Sequence, residues 1–214
     1  MKKVKNSLLL LLVLTFSSAL AQENDFQSWY LVTINKKIIK KTSFSIKSGL
    51  RLRENSSLYS RHFFDSRIRR NLNKKYSCAL GIRYSHKKSY DSNYFNVYRF
   101  YSDFRYKNKF TKRLRYSIRN RFQMQGIRYN YDMLLRQKLT LSYNIKKTKL
   151  TPNISSEYFL PFNEGINKLR HTFSFSHPLS KNIDFELAYR IQQEFYVNNP
   201  QTLFIFEGRL SYDL

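Results

Sequence analysis

Cysteine occurs once in this chain, tryptophan once, proline four times and glycine five times. A lone cysteine, Cys78, leaves no internal disulfide to form. So little glycine and proline excludes a Gly-rich linker or a collagenous segment, and nothing in the sequence divides the chain into domains. Beyond the first twenty residues there is no apolar run long enough for a transmembrane helix. Acids are also scarce. Fourteen Asp and Glu stand against 39 Lys and Arg, a formal net charge of +25. Such an excess by itself suggests nucleic-acid binding, but the placement of the bases argues for something else.

The start of the chain has the pattern of a secretion signal. Lys2, Lys3 and Lys5 precede an apolar run from Leu8 to Phe16 that is too short to span a bilayer, and Ala19-Leu20-Ala21 is a small-residue cleavage site. Residues 1–21 are therefore expected to be removed near Ala21. Residues 22–214 would then form one domain of about 190 residues. No cysteine stands directly after the cleavage site to carry a lipid anchor.

From Gln27 to Leu214 the chain alternates between apolar and polar residues. Leu114, Tyr116, Ile118, Phe122 and Met124 share one parity, and Arg115, Ser117, Arg119, Arg121 and Gln123 share the other. A period of two is that of a β-strand with two unlike faces. Eleven such runs can be counted, many of 10 to 14 residues, which suits tilted strands crossing a bilayer. Two kinds of connection separate them. Short basic turns such as Lys40-Lys41 and Asn73-Lys74-Lys75 read as periplasmic, and Asn, Ser and Tyr rich segments such as Asn55 to Tyr59 read as short outer loops. Tyr and Phe are abundant, as in the aromatic girdles of membrane barrels.

The expected fold is thus all-β, an antiparallel transmembrane β-barrel of about ten to twelve strands. Twelve is the nominal number, because simple antiparallel closure needs an even count; either a strand is merged or missed among the eleven runs, or the first run pairs in an unusual way. The alternative is a soluble barrel or sandwich with the apolar parity inside, since periodicity alone cannot tell inside from outside.

One constellation stands out on the polar parity: Arg119, Arg121, Arg136, Glu157, Arg170, Arg190 and Gln192 on neighbouring strands. Strands lie about 4.8 Å apart, so Glu157 is within reach of Arg136 and Arg170. The cluster reads either as a structural network that satisfies its own hydrogen bonds or as an anion-attracting constriction. Under the second reading, Arg121→Ala with Arg136→Ala would weaken anion preference.

Catalysis has little support. None of His62, His86, His171 and His177 has a Ser and an acid at triad spacing, and no two form a metal-ligand pattern. His171 and Ser174 would be the first pair to test for a lipid hydrolase. No cofactor or metal is expected. The expected partners are outer-membrane lipid, lipopolysaccharide and small anionic solutes, not nucleic acid, for a monomer in a Gram-negative cell outer membrane. Two functional readings follow, a porin-like, narrow, anion-preferring or structural barrel with a basic lumen and a barrel that binds lipopolysaccharide or another polyanion. An outer-membrane lipid-modifying enzyme is a third.

Several segments also carry a family resemblance: Trp29, Arg115-Tyr116-Ser117-Ile118-Arg119-Asn120-Arg121, Leu135-Arg136-Gln137, Ser156-Glu157-Tyr158-Phe159, Asn167-Lys168-Leu169-Arg170-His171 and Tyr189-Arg190-Ile191-Gln192. As an ordered set they make the chain resemble the Bacteroidetes-type secreted proteins grouped as domain of unknown function 2490, over nearly all of the mature length. The resemblance implies an outer-membrane barrel and no known activity.

Overall fold

The computed structural model describes residues 23–128, 130–162 and 164–214. The expected secretion signal and its cleavage site near Ala21 lie outside the described residues. Eleven strands follow one another: β1 (Glu23–Ile39), β2 (Thr42–Arg53), β3 (Leu58–Asn71), β4 (Tyr76–Lys88), β5 (Tyr94–Lys109), β6 (Leu114–Ile127), β7 (Asn130–Tyr143), β8 (Thr151–Pro161), β9 (Lys168–Pro178), β10 (Ile183–Glu194) and β11 (Gln201–Asp213). Each pairs with its neighbours in sequence, and β1 meets β11 to close a barrel.

The nominal count of twelve is corrected to eleven. In an up-and-down order an odd number leaves the first and last strands pointing the same way, so β1 pairs with β11 in parallel while β1 and β2 are antiparallel. No further strand is required. Residues 23–27, too few for a strand of their own, extend β1 and pair only with β11, because pairing to β2 begins at Ser28 opposite Leu52. The loop after β2 secures this extension. Ser56 N–H donates to the Phe26 carbonyl at 3.0 Å, and Asn55 N–H donates to Asp25 Oδ1 at 3.1 Å.

The two parities take opposite sides. Leu80 on β4 is 70% exposed, and Ile82, Phe64 and Ile154 also face outward. The alternate residues Asp65, Asp103, Arg121, Glu157 and Arg190 are buried inside. An exterior clad in large apolar side chains around a polar interior is the pattern of a transmembrane barrel. The soluble, oil-cored alternative would need the reverse. Cys78 faces outward with the apolar set, and its thiol is free.

Some apolar residues do face inward, and they explain where the alternation of β1 falters. Trp29 and Leu31 point into the barrel while Tyr30, Val32 and Ile34 point out. With Leu203 and Ile205 of β11, Trp29 forms a small buried cluster along the parallel seam. Two glycines make room for inward aromatic rings. A Cβ on Gly49 would lie 2.4 Å from the Phe63 ring opposite it, and one on Gly81 would lie 2.3 Å from the Tyr101 ring opposite it. A large side chain beside either ring would have to displace it.

The barrel has two unlike ends. The basic turns, starting with Lys40–Lys41, gather at the end where β11 finishes. The β2–β3, β4–β5, β6–β7, β8–β9 and β10–β11 connections gather at the other, where β1 begins. Positive φ angles among the described residues fall on nine residues of these connections, Lys41, Asn55 and Asn199 among them, and not on glycine.

Candidate functional site

The lumen holds a cavity of about 1390 Å³ that runs from Ser89 and Tyr90 at the loop end to Ser142 and Ser176 near the basic-turn end. Nineteen Lys and Arg and seven Asp and Glu line it. The period-two pattern accounts for this, because each strand contributes its polar parity to the interior.

Pairing divides the seven residues singled out above into three groups. Glu157 on β8 is 3% exposed and meets Arg119 at 2.5 Å, Arg136 at 2.8 Å and Arg170 at 3.7 Å. Register brings them together: Glu157 stands opposite Lys138 on β7 and Arg170 on β9, and Arg119 stands opposite the same Lys138 from β6. Arg170 Nε donates to Gln192 Oε1 at 3.0 Å, and Arg136 also donates to Gln123 Oε1 at 3.1 Å. Arg121 is held elsewhere. It makes a fork with Asp103, Nε at 2.6 Å and a terminal nitrogen at 2.8 Å. Arg190 belongs to a third group, donating to Glu207 at 2.6 Å, an oxygen it shares with Arg209.

Sequence reasoning missed Asp65, Asp103, Glu207, Arg83 and Arg209 as members of these networks. A signal was present, because each shares the lumen parity with an arginine on the adjacent strand. Asp65 accepts from Arg83 Nε and from Tyr101 Oη, both at 2.7 Å. A buried charge is tolerated when it is paired and its hydrogen-bonding capacity is used, and these acids meet that condition.

Several guanidinium groups lie over aromatic rings. Arg51 lies 3.6 Å from the Trp29 ring centre, Arg121 3.7 Å from Tyr101, Arg83 4.0 Å from Phe63 and Arg136 4.4 Å from Phe159. Such contacts add cation–π attraction and help to position the group.

The walls differ in how their charge is met. On β6 to β11 the arginines that line the cavity have carboxylate partners. On β2 to β5, Lys47, Arg51, Arg61, Arg67, Lys87 and Arg99 make no ion pair among the described residues. Asp65 and Asp103 also lie on this side but are engaged by Arg83 and Arg121. The Nε atoms of Arg51, Arg61 and Arg67 are buried without a hydrogen-bond partner.

The histidines stay outside this chemistry. His171 faces outward while Ser174 is buried inside, so the strand wall separates the pair considered for a hydrolase. His62 and His86 are cross-strand partners on the exterior, in an aromatic patch where Tyr59 Oη lies 2.8 Å from His62 Nδ1. No group of three or more potential metal ligands occurs among the described residues.

Comparison with known proteins agrees with the architecture. The NanC porin structure matches with a TM-score of 0.52 and 13% identity, over 84% of this chain and 93% of that one. A KdgM porin in complex with disordered oligogalacturonate matches with a TM-score of 0.51 and 13% identity, over 78% and 90%. KdgM porin in a further structure gives 0.50 and 16%, over 78% and 89%. At these identities the likeness is one of fold. No curated protein matches. A family model described as protein of unknown function (DUF2490) matches residues 26–202, from within β1 to the start of β11, and the chain belongs to that family.

Proposed function

We propose that the protein is a non-enzymatic outer-membrane barrel whose basic lumen forms a narrow, anion-preferring pore. After removal of its secretion signal it would stand as a monomer in outer-membrane lipid and lipopolysaccharide. The observation that carries this reading is the surplus of cations along the cavity, nineteen against seven acids. Five of the seven acids, Asp65, Glu157, Glu186, Glu194 and Glu207, are engaged in ion pairs, so the remaining cations draw anions in. The fold likeness to porins supports a channel, and one of those porins is recorded in complex with oligogalacturonate, itself a chain of carboxylates.

Planar-bilayer recording across a potassium chloride gradient tests the reading. The reversal potential should have the sign of chloride preference, and it should shrink as salt rises and screens the lumen. Current with cation preference would overturn it. A barrel that binds polyanions without conducting would give no current, and a silent bilayer with correctly folded protein would favour that function.

A further inference from the structure

We propose that Arg51, Arg61 and Lys87, on the β2–β4 wall, form a binding site for an oxyanion group, carboxylate or phosphate. The site deepens the pore reading, on which it rests for the route by which a ligand enters. Arg51 stands directly opposite Arg61, and Arg61 stands directly opposite Lys87. Like charges facing each other across strands are destabilising, and here no carboxylate intervenes. The nearest lumen acid in this row of strands, Asp65, is taken by Arg83 and Tyr101.

Three further observations point to a ligand. First, the register of β2 and β3 shifts between Arg51 and Leu52, leaving Ser60 as an extra residue that lines the cavity beside the pair. A bulge re-aims side chains next to it and is frequent at functional sites. Second, Arg51 Cζ lies over the Trp29 ring, 3.6 Å from its centre, a cation–π contact that positions the guanidinium group while using none of its N–H donors on a carboxylate. Third, Nε of both Arg51 and Arg61 is buried without an acceptor and, unlike Arg119, Arg190 and Arg209 with the same unpartnered Nε, neither guanidinium has a carboxylate partner. Two forks side by side offer bidentate contacts to the oxygens of a carboxylate or phosphate, which a spherical chloride cannot use. Glu207, two strands from Arg51 across the β1 seam, does not supply the missing carboxylate, because Arg190 and Arg209 already share it, and Glu157 is likewise held by Arg119 and Arg136.

Trp29 is the single tryptophan of the chain, so its emission reports on the site. Folded protein in zwitterionic detergent would be titrated with sodium citrate and, separately, with pyrophosphate at constant ionic strength set by chloride. A saturable change in emission is expected, with a matching rise in the temperature at which heat-modifiable gel mobility is lost. Arg51→Gln or Arg61→Gln should weaken binding about tenfold or more, and Arg61→Lys should restore part of it by returning charge without the fork. Lys181→Gln, in a basic turn, should bind as wild type. The two titrations separate a preference for carboxylate from one for phosphate. Two variants are used so that one failing to fold does not end the test, and gel mobility identifies it.

The site is overturned if neither emission nor melting responds to ligand on the order of 10 mM, or if both glutamine variants titrate as wild type. An anion-selective current without any titration would remove the site and leave the pore reading. Titration without an anion-selective current would do the reverse.

Discussion

Trp29 on the first strand stands in register with Glu207 on the last, and the two strands run in the same direction. This junction closes the barrel. It brings the indole to the inner wall near Arg51, Arg170 and Arg190, and so joins the wall of unpaired cations to the wall of salt bridges.

Parallel closure places the two ends of the described chain at opposite mouths. In a Cys78→Ser background, Asn24→Cys and Leu214→Cys, both exposed positions, should react differently with a membrane-impermeant maleimide applied to whole cells. One should label and the other should not until the membrane is broken. Equal labelling of both from one side would mean an even number of strands.

Glu157 joins three arginines, so Glu157→Gln should destabilise the folded barrel by roughly 3 kcal/mol, the scale of a buried pair that loses one member. The arginines would be left facing one another at the contacts of 2.5 and 2.8 Å that the carboxylate now bridges. Urea titration of refolding into detergent, followed by gel mobility, measures the loss. A change within 0.5 kcal/mol, about the scale of an unremarkable surface substitution, would show that the network contributes little.

Gly81 gives space to Tyr101. Gly81→Val should push the ring from its 2.7 Å hydrogen bond to Asp65 and cost about 1–3 kcal/mol as an overpacked site. A Cβ on Gly208 would meet nothing within 4 Å, so Gly208→Ala should be nearly neutral in the same unfolding assay. Similar losses at the two positions would argue against the packing of Tyr101 described above.

The outward face of β4 allows a test of the bilayer itself. Ile82 is 56% exposed near the middle of that strand. On the surface of a water-soluble protein Ile82→Arg would be mild. Against lipid it should cost about 2–4 kcal/mol at the bilayer midplane, seen as a lower folding yield and stability in vesicles. Arg at Asn73, in a basic turn, serves as the control and should have little effect.

Much of the fold is legible in the sequence. The eleven runs match eleven strands, and the β4 alternation of Cys78, Leu80 and Ile82 against Ala79, Gly81 and Arg83 describes an outer and an inner face. The count itself was right where the expected closure was wrong, because twelve followed from a rule about antiparallel neighbours that the β1–β11 junction does not obey. In the candidate site, the contacts of Glu157 with Arg136 and Arg170 follow from parity and adjacency alone. The links from Arg121 to Asp103 and from Arg190 to Glu207 need to be known strand by strand. Arg51, Arg61 and Lys87 do not stand out in the sequence from other polar-parity cations, because what sets them apart is the carboxylate they lack.

The sequence by itself determined the strands, the two faces and the surplus of positive charge, since a side chain's face depends only on its place in a two-residue period. Only the tertiary structure decided which face looked outward, how an odd number of strands closes and which cations are neutralised. Those outcomes depend on register between strands far apart in the chain, where a shift of one residue exchanges every inner side chain for an outer one.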